Sequence, residues 1–168
     1  MRISDTLLPE FDQEMATTRK CLARIPDDKF SFKPHPKSFD MGGLAVHIAT
    51  MVDWGVLTLQ GDNFDYAPEG AEPYVPPAIK TNAELLALFD SGSAKFRAAL
   101  AATENAAMMA PWSLLAGGKP VFTMPRVAVL RGMIFNHLVH HRGQLTVYLR
   151  MGDIPVPSIY GPAADEPN

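Results

Sequence analysis

Three histidines on two helical segments carry the chemistry this chain can offer. His137 and His141 stand four residues apart in a segment spanning about 125–151, and His47 stands in an earlier one, about 41–60. Four residues of α-helix turn through about 400°, so the two later rings point only ~40° apart and can grip one ion from a single face. His47 can close the set from a facing helix. Three neutral imidazoles leave part of a divalent ion's coordination sphere open, which permits chemistry and not only cross-linking. Such an ion lowers the pKa of bound water toward ~7, or binds and deprotonates a thiol.

A single histidine on an apolar face is usually a core residue with a satisfied hydrogen bond. Three at apolar-stripe positions are different, because burying unpaired polar rings costs on the order of 1–3 kcal/mol each, and a shared metal relieves that burden. His140 falls ~60° from His137 and ~100° from His141 around the helix, so it is expected beside the stripe or on the surface. His35 lies in a proline-rich link and is expected to be exposed or packed on a bundle end. After His141 come Arg142, Gly143 and Gln144. Arg142 has three readings: pairing with an anionic substrate, pairing with a carboxylate of a partner subunit, or solvation. Gly143, unfavourable in a helix by ~1 kcal/mol, suggests close helix packing. Asp53 is the nearest carboxylate after His47, but six residues place it ~120° away and out of reach of the ion. Cys21 reads as a small packing residue, Trp54 as core in preference to cavity wall, and Tyr148 likewise.

Four amphipathic segments must position these groups. Ile3, Leu7, Phe11, Met15, Thr18, Leu22 and Ile25 recur at threes and fours, predicting a helix over 3–25 that ends at Pro26. A link bearing Pro34 and Pro36 follows. Asp40 is a plausible N-cap for a helix over 41–60, with Leu44, His47, Met51, Trp54 and Thr58 on one face and Gly61 as its stop. The stretch 62–79, with Pro68, Pro73, Pro76 and Pro77, reads as a long loop, and loops of that length are often lids or binding loops. Thr81 and Glu84 match a capping box opening a helix over 82–103. Gly117-Gly118 between apolar runs signals a short hairpin within 112–122, with an irregular loop as the alternative. The last helix is expected over 125–151, with Val127, Leu130, Ile134, His137, His141, Leu145 and Tyr148 as its stripe. In the tail, 152–168, Ile159 and Tyr160 are expected to dock and 163–168 to fray. The pattern predicts an all-α four-helix bundle in one domain, 1–168, with long connections and a hairpin before the last helix.

The composition narrows the partners. A hydrophobic fraction of 47% with 20% charged residues allows a real core, and a net charge of −3 without a basic stripe argues against nucleic acid. The single cysteine excludes an intrachain disulfide. The first residues, Met1 to Asp5, lack the charged-then-apolar pattern of a signal peptide, and no apolar run is expected to reach a membrane span. A cytoplasmic protein without membrane or nucleic-acid partners is the expectation.

The run His137-Leu138-Val139-His140-His141-Arg142-Gly143-Gln144 resembles the HxxxHRGQ motif of the DinB/YfiT superfamily of small metal-binding bundles. The stretch Phe32-Lys33-Pro34 through Ser38, then Leu44 and His47, is similar to that family's earlier segment, and the end from Pro157 to Glu166 looks like its tail. The resemblance implies an up-down-down-up bundle, often a homodimer, with His47, His137 and His141 as ligands to zinc, nickel or another first-row divalent ion such as iron, manganese or cobalt. It carries no implication of DNA repair. Family members include thiol-dependent transferases and isomerases, so the leading expectation is a metal-dependent transferase acting on a low-molecular-weight thiol and a small electrophile. The loop 62–79 and the Trp112 region would then shape the electrophile pocket. A metal-dependent hydrolase and a non-catalytic, metal-stabilised binding or stress-response module are the alternatives.

Overall fold

Local signals set the ends of the helices in the computed structural model, which describes residues 1–72 and 74–167. Pro73 of the proline-rich loop and Asn168 of the tail lie outside the described residues. Helix α1 spans Ile3–Leu22, opened by the Asp5 carboxylate, which accepts the Arg2 N–H at 3.0 Å. It buries Leu7, Phe11, Met15, Thr18 and Leu22, the expected stripe. It ends before Ile25 because Pro26 disfavours helical backbone at the residue preceding it. Ile25 is nevertheless fully buried, just past the helix.

Helix α2 spans Met41–Gln60; the Asp40 carboxylate accepts the Gly43 N–H at 2.7 Å, and Gly61 ends it. Helix α3 spans Asn82–Ala102, with the Thr81–Glu84 capping box in place. A short helix α4, Asn105–Met109, leads into strand β2, Pro111–Ala116, and strand β3, Lys119–Pro125. Gly117 and Gly118 join them with φ of +57° and +73°, the double left-handed turn that only glycine, asparagine and aspartate adopt readily. The expected loop 62–79 is not wholly irregular. Its start forms strand β1, Asn63–Asp65, parallel to β2, and the Asp65 carboxylate accepts the Gly117 and Gly118 N–H groups at 3.1 and 2.6 Å.

The last helical segment is one rod in three parts: helix α5, Arg126–Val129; a π-helical stretch, Leu130–Phe135; and helix α6, Asn136–Met151. Pro125 closes β3 and serves as the cap, so the helix starts one residue later than expected.

Residue pairs give the bundle's topology. Asn82 Nδ2 donates to the Leu22 carbonyl at the end of α1, and the Ile3 N–H donates to Asn105, so α1 and α3 run antiparallel. Gly55 approaches Phe96 as Gly92 approaches Val52, so α2 and α3 run parallel and need the long crossover between them. Arg131 bonds Glu10 and Arg142 bonds Glu14, so the last rod runs with α1. The order is up, down, down, up. At the centre the Phe11, Phe96 and Phe135 rings meet with centroids 5.0 to 6.3 Å apart, Phe11 and Phe96 edge to face.

Two expectations are corrected. The tail does not fray at 163–167. Asp165 accepts from Arg150 at 2.5 Å and from the Val156 N–H at 2.9 Å, while Glu166 pairs with Arg24 and accepts the Ser158 N–H. Helix α2 does reach the length and apolarity of a membrane span, contrary to expectation. Most of it is buried among the other helices, which accounts for its composition.

Candidate metal centre

The three histidines converge where α2 and α6 face each other. The Nε2 atoms of His137 and His141 lie 2.8 Å apart. The His47 ring centroid is 5.5 Å from that of His137 and 4.6 Å from that of His141. One ring nitrogen from each of the three falls within 4.8 Å of the others, so the cluster could hold a metal ion. All three rings are half-buried.

Each ring is oriented from behind. Nδ1 of His141 donates to the Gln144 side-chain oxygen at 2.7 Å, one turn on, which leaves the Nε2 lone pair facing the cluster. The His137 ring is hydrogen-bonded to the backbone of Met133, inside the π-helical stretch. Departures of this kind from α-helical spacing recur at functional sites. His47 stacks on Phe39, the two ring centroids 6.1 Å apart and 19° from parallel.

Burial lowers the pKa of all three. His47 is pushed down to about 4, by burial first and then by His141 and His137. His137 and His141 are lowered mainly by burial, partly opposed by their bonds to Met133 and Gln144. The cluster is therefore neutral at pH 7, with lone pairs available, the state a metal requires. Three imidazoles suit zinc, nickel, iron or copper better than magnesium or calcium.

His137 and His141 stand at the edge of the α6 stripe and not at its centre, which runs through Leu138, Arg142, Leu145 and Leu149. That offset is why they stay half-exposed and reachable. Arg142 fits none of its three expected readings. Its side chain is 1% exposed and pairs at 2.6 Å with Glu14 of the same chain. It also donates to Thr18 Oγ1 at 3.2 Å and to the Tyr160 hydroxyl at 2.6 Å, and that hydroxyl donates to Glu14 at 2.9 Å. Glu14 was detectable in the sequence as a charged residue one turn after Phe11 and one before Thr18, on the buried face of α1. Gly143 is exposed, and an added Cβ would meet nothing within 4 Å, so close packing does not explain it. His140 and His35 are exposed. Asp53 lies outside the cluster, as expected, and Cys21 is fully buried, its thiol pushed up to about 11 chiefly by that burial.

A cavity of about 650 Å³ opens beside His47. Phe30, Phe39, Val46, Thr50 and Trp54 form its floor, and the loop residues Tyr74 and Pro76 to Ile79 border it. The long loop thus lines this cavity through those residues. Trp112 does not line it: it is 3% exposed, in a separate cluster with Leu114 and Val129. Trp54 packs on the core and lines the cavity as well, a role its sequence spacing left secondary.

A helical bundle with a short hairpin and a three-histidine cluster between facing helices defines the class. The model of the DinB superfamily matches residues 10–145, and the chain belongs to that superfamily. The uncharacterised protein YrdA of Bacillus subtilis (strain 168) is 29% identical over 163 residues, covering 96% of this chain and 90% of its own. A DinB-like protein of Bacillus cereus ATCC 10987 superposes with a TM-score of 0.72 at 24% identity, over 91% of this chain and 95% of its own. The DinB-like protein YjoA of Bacillus subtilis superposes with a TM-score of 0.69 at 21% identity, over 92% and 96%. At these identities the two structures speak to fold alone.

Proposed function

We propose that this protein is a metal-dependent transferase that joins a low-molecular-weight thiol to a small electrophile. One observation carries the reading: His47 belongs both to the histidine cluster and to the wall of the apolar cavity. His47, His137 and His141 would hold one divalent transition ion, zinc or nickel in the first place. When bound, such an ion keeps its full charge on three neutral ligands and makes a thiol acidic enough to serve as a nucleophile at neutral pH.

The chain's own residues do the rest. Gln144 and the Met133 backbone hold two rings in register. Phe39 and the loop residues Tyr74 and Pro76 to Ile79 border the cavity with mostly apolar surface. The apolar floor suits an electrophile with little charge of its own near the reacting atom.

Hydrolysis would want a general base beside the cluster. The carboxylate on this cavity wall is Asp40, committed to capping α2, and the Thr50 hydroxyl donates to the Val46 carbonyl at 2.9 Å. A thiol held by such an ion would release its proton to solvent near neutral pH. The bundle core also closes around Phe11, Phe96 and Phe135 without the histidines, which disfavours a site that serves only to hold the fold together. A reducing cytoplasm suits a thiol co-substrate and a chain with one cysteine.

The test uses protein purified without a polyhistidine tag, analysed for metal and then loaded with cobalt(II). Titration with small cellular thiols should shift the cobalt absorption bands for one thiol and not the others. Conjugation of that thiol to a model electrophile should be lost in His47→Ala. A cobalt spectrum indifferent to every thiol overturns the proposal.

A further inference from the structure

The cavity beside His47 does not stop at Trp54. Thr50, Trp54 and Tyr74 also line an adjoining cavity of about 420 Å³. His47, Thr50 and Asp53 follow one another at intervals of three along α2, each step turning about 60°, so the row passes around the helix from the histidines toward α3. At its far end the wall is aromatic. The Trp54 and Phe64 rings have centroids 5.5 Å apart at an interplanar angle of 58°, and Tyr66 and Tyr74 stand exposed at the mouth.

Asp53 is the charged residue on this wall. It is half-buried, and among the described residues its carboxylate has neither a hydrogen-bond donor nor an ion-pair partner. Burial raises its carboxyl above the usual carboxylate range. The exposed Lys95 on α3, the one cation opposing that rise, does not reach bonding distance. A half-buried carboxylate without a partner is unfavourable unless something positive arrives. Aromatic faces are electron-rich and attract the same kind of guest. Anions are repelled here, and a neutral donor gives Asp53 a hydrogen bond but leaves its charge uncompensated.

We propose that the substrate entering this cavity carries an organic ammonium group, paired with Asp53 and enclosed by Trp54, Phe64, Tyr66 and Tyr74. The inference rests on reading the histidine-lined cavity as the substrate site. It also fixes a size. Six residues of helix rise about 9 Å, so several atoms separate the ammonium group from the atom that reacts beside His47. Thr50 lies midway between His47 and Asp53 along α2 and lines both cavities.

The experiment is calorimetric titration of the full, metal-loaded protein with choline, with n-butylammonium and with the uncharged tert-butyl isostere of choline. At least one cation should bind about tenfold or more tightly than the isostere. Asp53→Asn should abolish that preference while leaving isostere binding unchanged. Tyr66→Leu, at an exposed position that leaves the core intact, should weaken the cation about threefold. Equal affinity for cation and isostere in the native protein, or an undiminished preference in Asp53→Asn, overturns the proposal. The same titration on metal-stripped protein separates it from the transferase reading. An ammonium preference that survives stripping, beside a cobalt spectrum indifferent to thiols, removes the transferase and leaves the ammonium site standing.

Discussion

Arg142 and Glu14 form an ion pair at 2.6 Å whose side chains are 1% and 9% exposed, one residue away from the candidate ligand His141. The pair joins α6 to α1, and Tyr160 bonds to both of its members, so the C-terminal segment is fastened to the same point. Removing one member strands the other charge in the core. Arg142→Met should therefore lower unfolding free energy by about 3–5 kcal/mol, measured by urea denaturation. Tyr160→Phe should lower it by about 1 kcal/mol and speed proteolysis of the tail. An Arg142→Met protein as stable as the native one would show that the pair does not hold the bundle.

Gln144 is hydrogen-bonded to His141 and, among the described residues, to neither of the other two rings. Gln144→Ala frees Nδ1 of His141 and the ring's orientation with it. Metal affinity should fall about 10–100-fold, while the helical circular dichroism stays unchanged. Single alanine changes at His47, His137 or His141 should weaken binding further and still give folded protein. Metal removed by a chelator should likewise leave the bundle folded, since its core is built elsewhere.

The histidines set a pH dependence with a definite sign. Their pKa values in the folded chain lie below the ordinary 6.5, with His47 at about 4. The unfolded chain therefore binds more protons in this window, and stability of the metal-free protein should be fully present above pH 6.5 and fall as the pH drops toward 4. Metal affinity should hold down to about pH 6.5 and decline below it, as protons compete for the same nitrogens. Metal occupancy followed against pH checks this; loss beginning above pH 7 would contradict it.

Cys21 behaves in the opposite sense. Its thiol is pushed up to about 11 against an ordinary 9, so the folded state keeps its proton where the unfolded state loses it. The contribution to stability is present below pH 9 and is lost as pH rises toward 11. At pH 8 the folded protein should resist thiol-directed alkylation, and denaturant should make it react at once.

Two glycines should respond in opposite directions to alanine. Gly143 has open space around it in a helix, so Gly143→Ala should stabilise by about 0.5–1 kcal/mol. At Gly55 an added Cβ would lie 2.3 Å from the Phe96 ring, so Gly55→Ala should destabilise by about 1–3 kcal/mol. Thermal unfolding of both variants decides the matter.

Local physics made much of this legible in the chain alone. The helix starts at Asp40 and Thr81 depend on side chains within three residues, and the Gly117-Gly118 turn depends on two adjacent left-handed positions. The i and i+4 spacing of His137 and His141 puts their rings together on any α-helix. What the sequence left open was decided by neighbours distant along the chain. The partner of Arg142 lies 128 residues away at Glu14, and no spacing rule reaches that far. The approach of His47 to the later pair, the exposure of Gly143 and the removal of Trp112 from the cavity all follow from how the helices pack. So does the meeting of Asp53 with the aromatic rings of Phe64 and Tyr66. Periodicity tells which face of a helix is apolar, and only packing tells what that face meets.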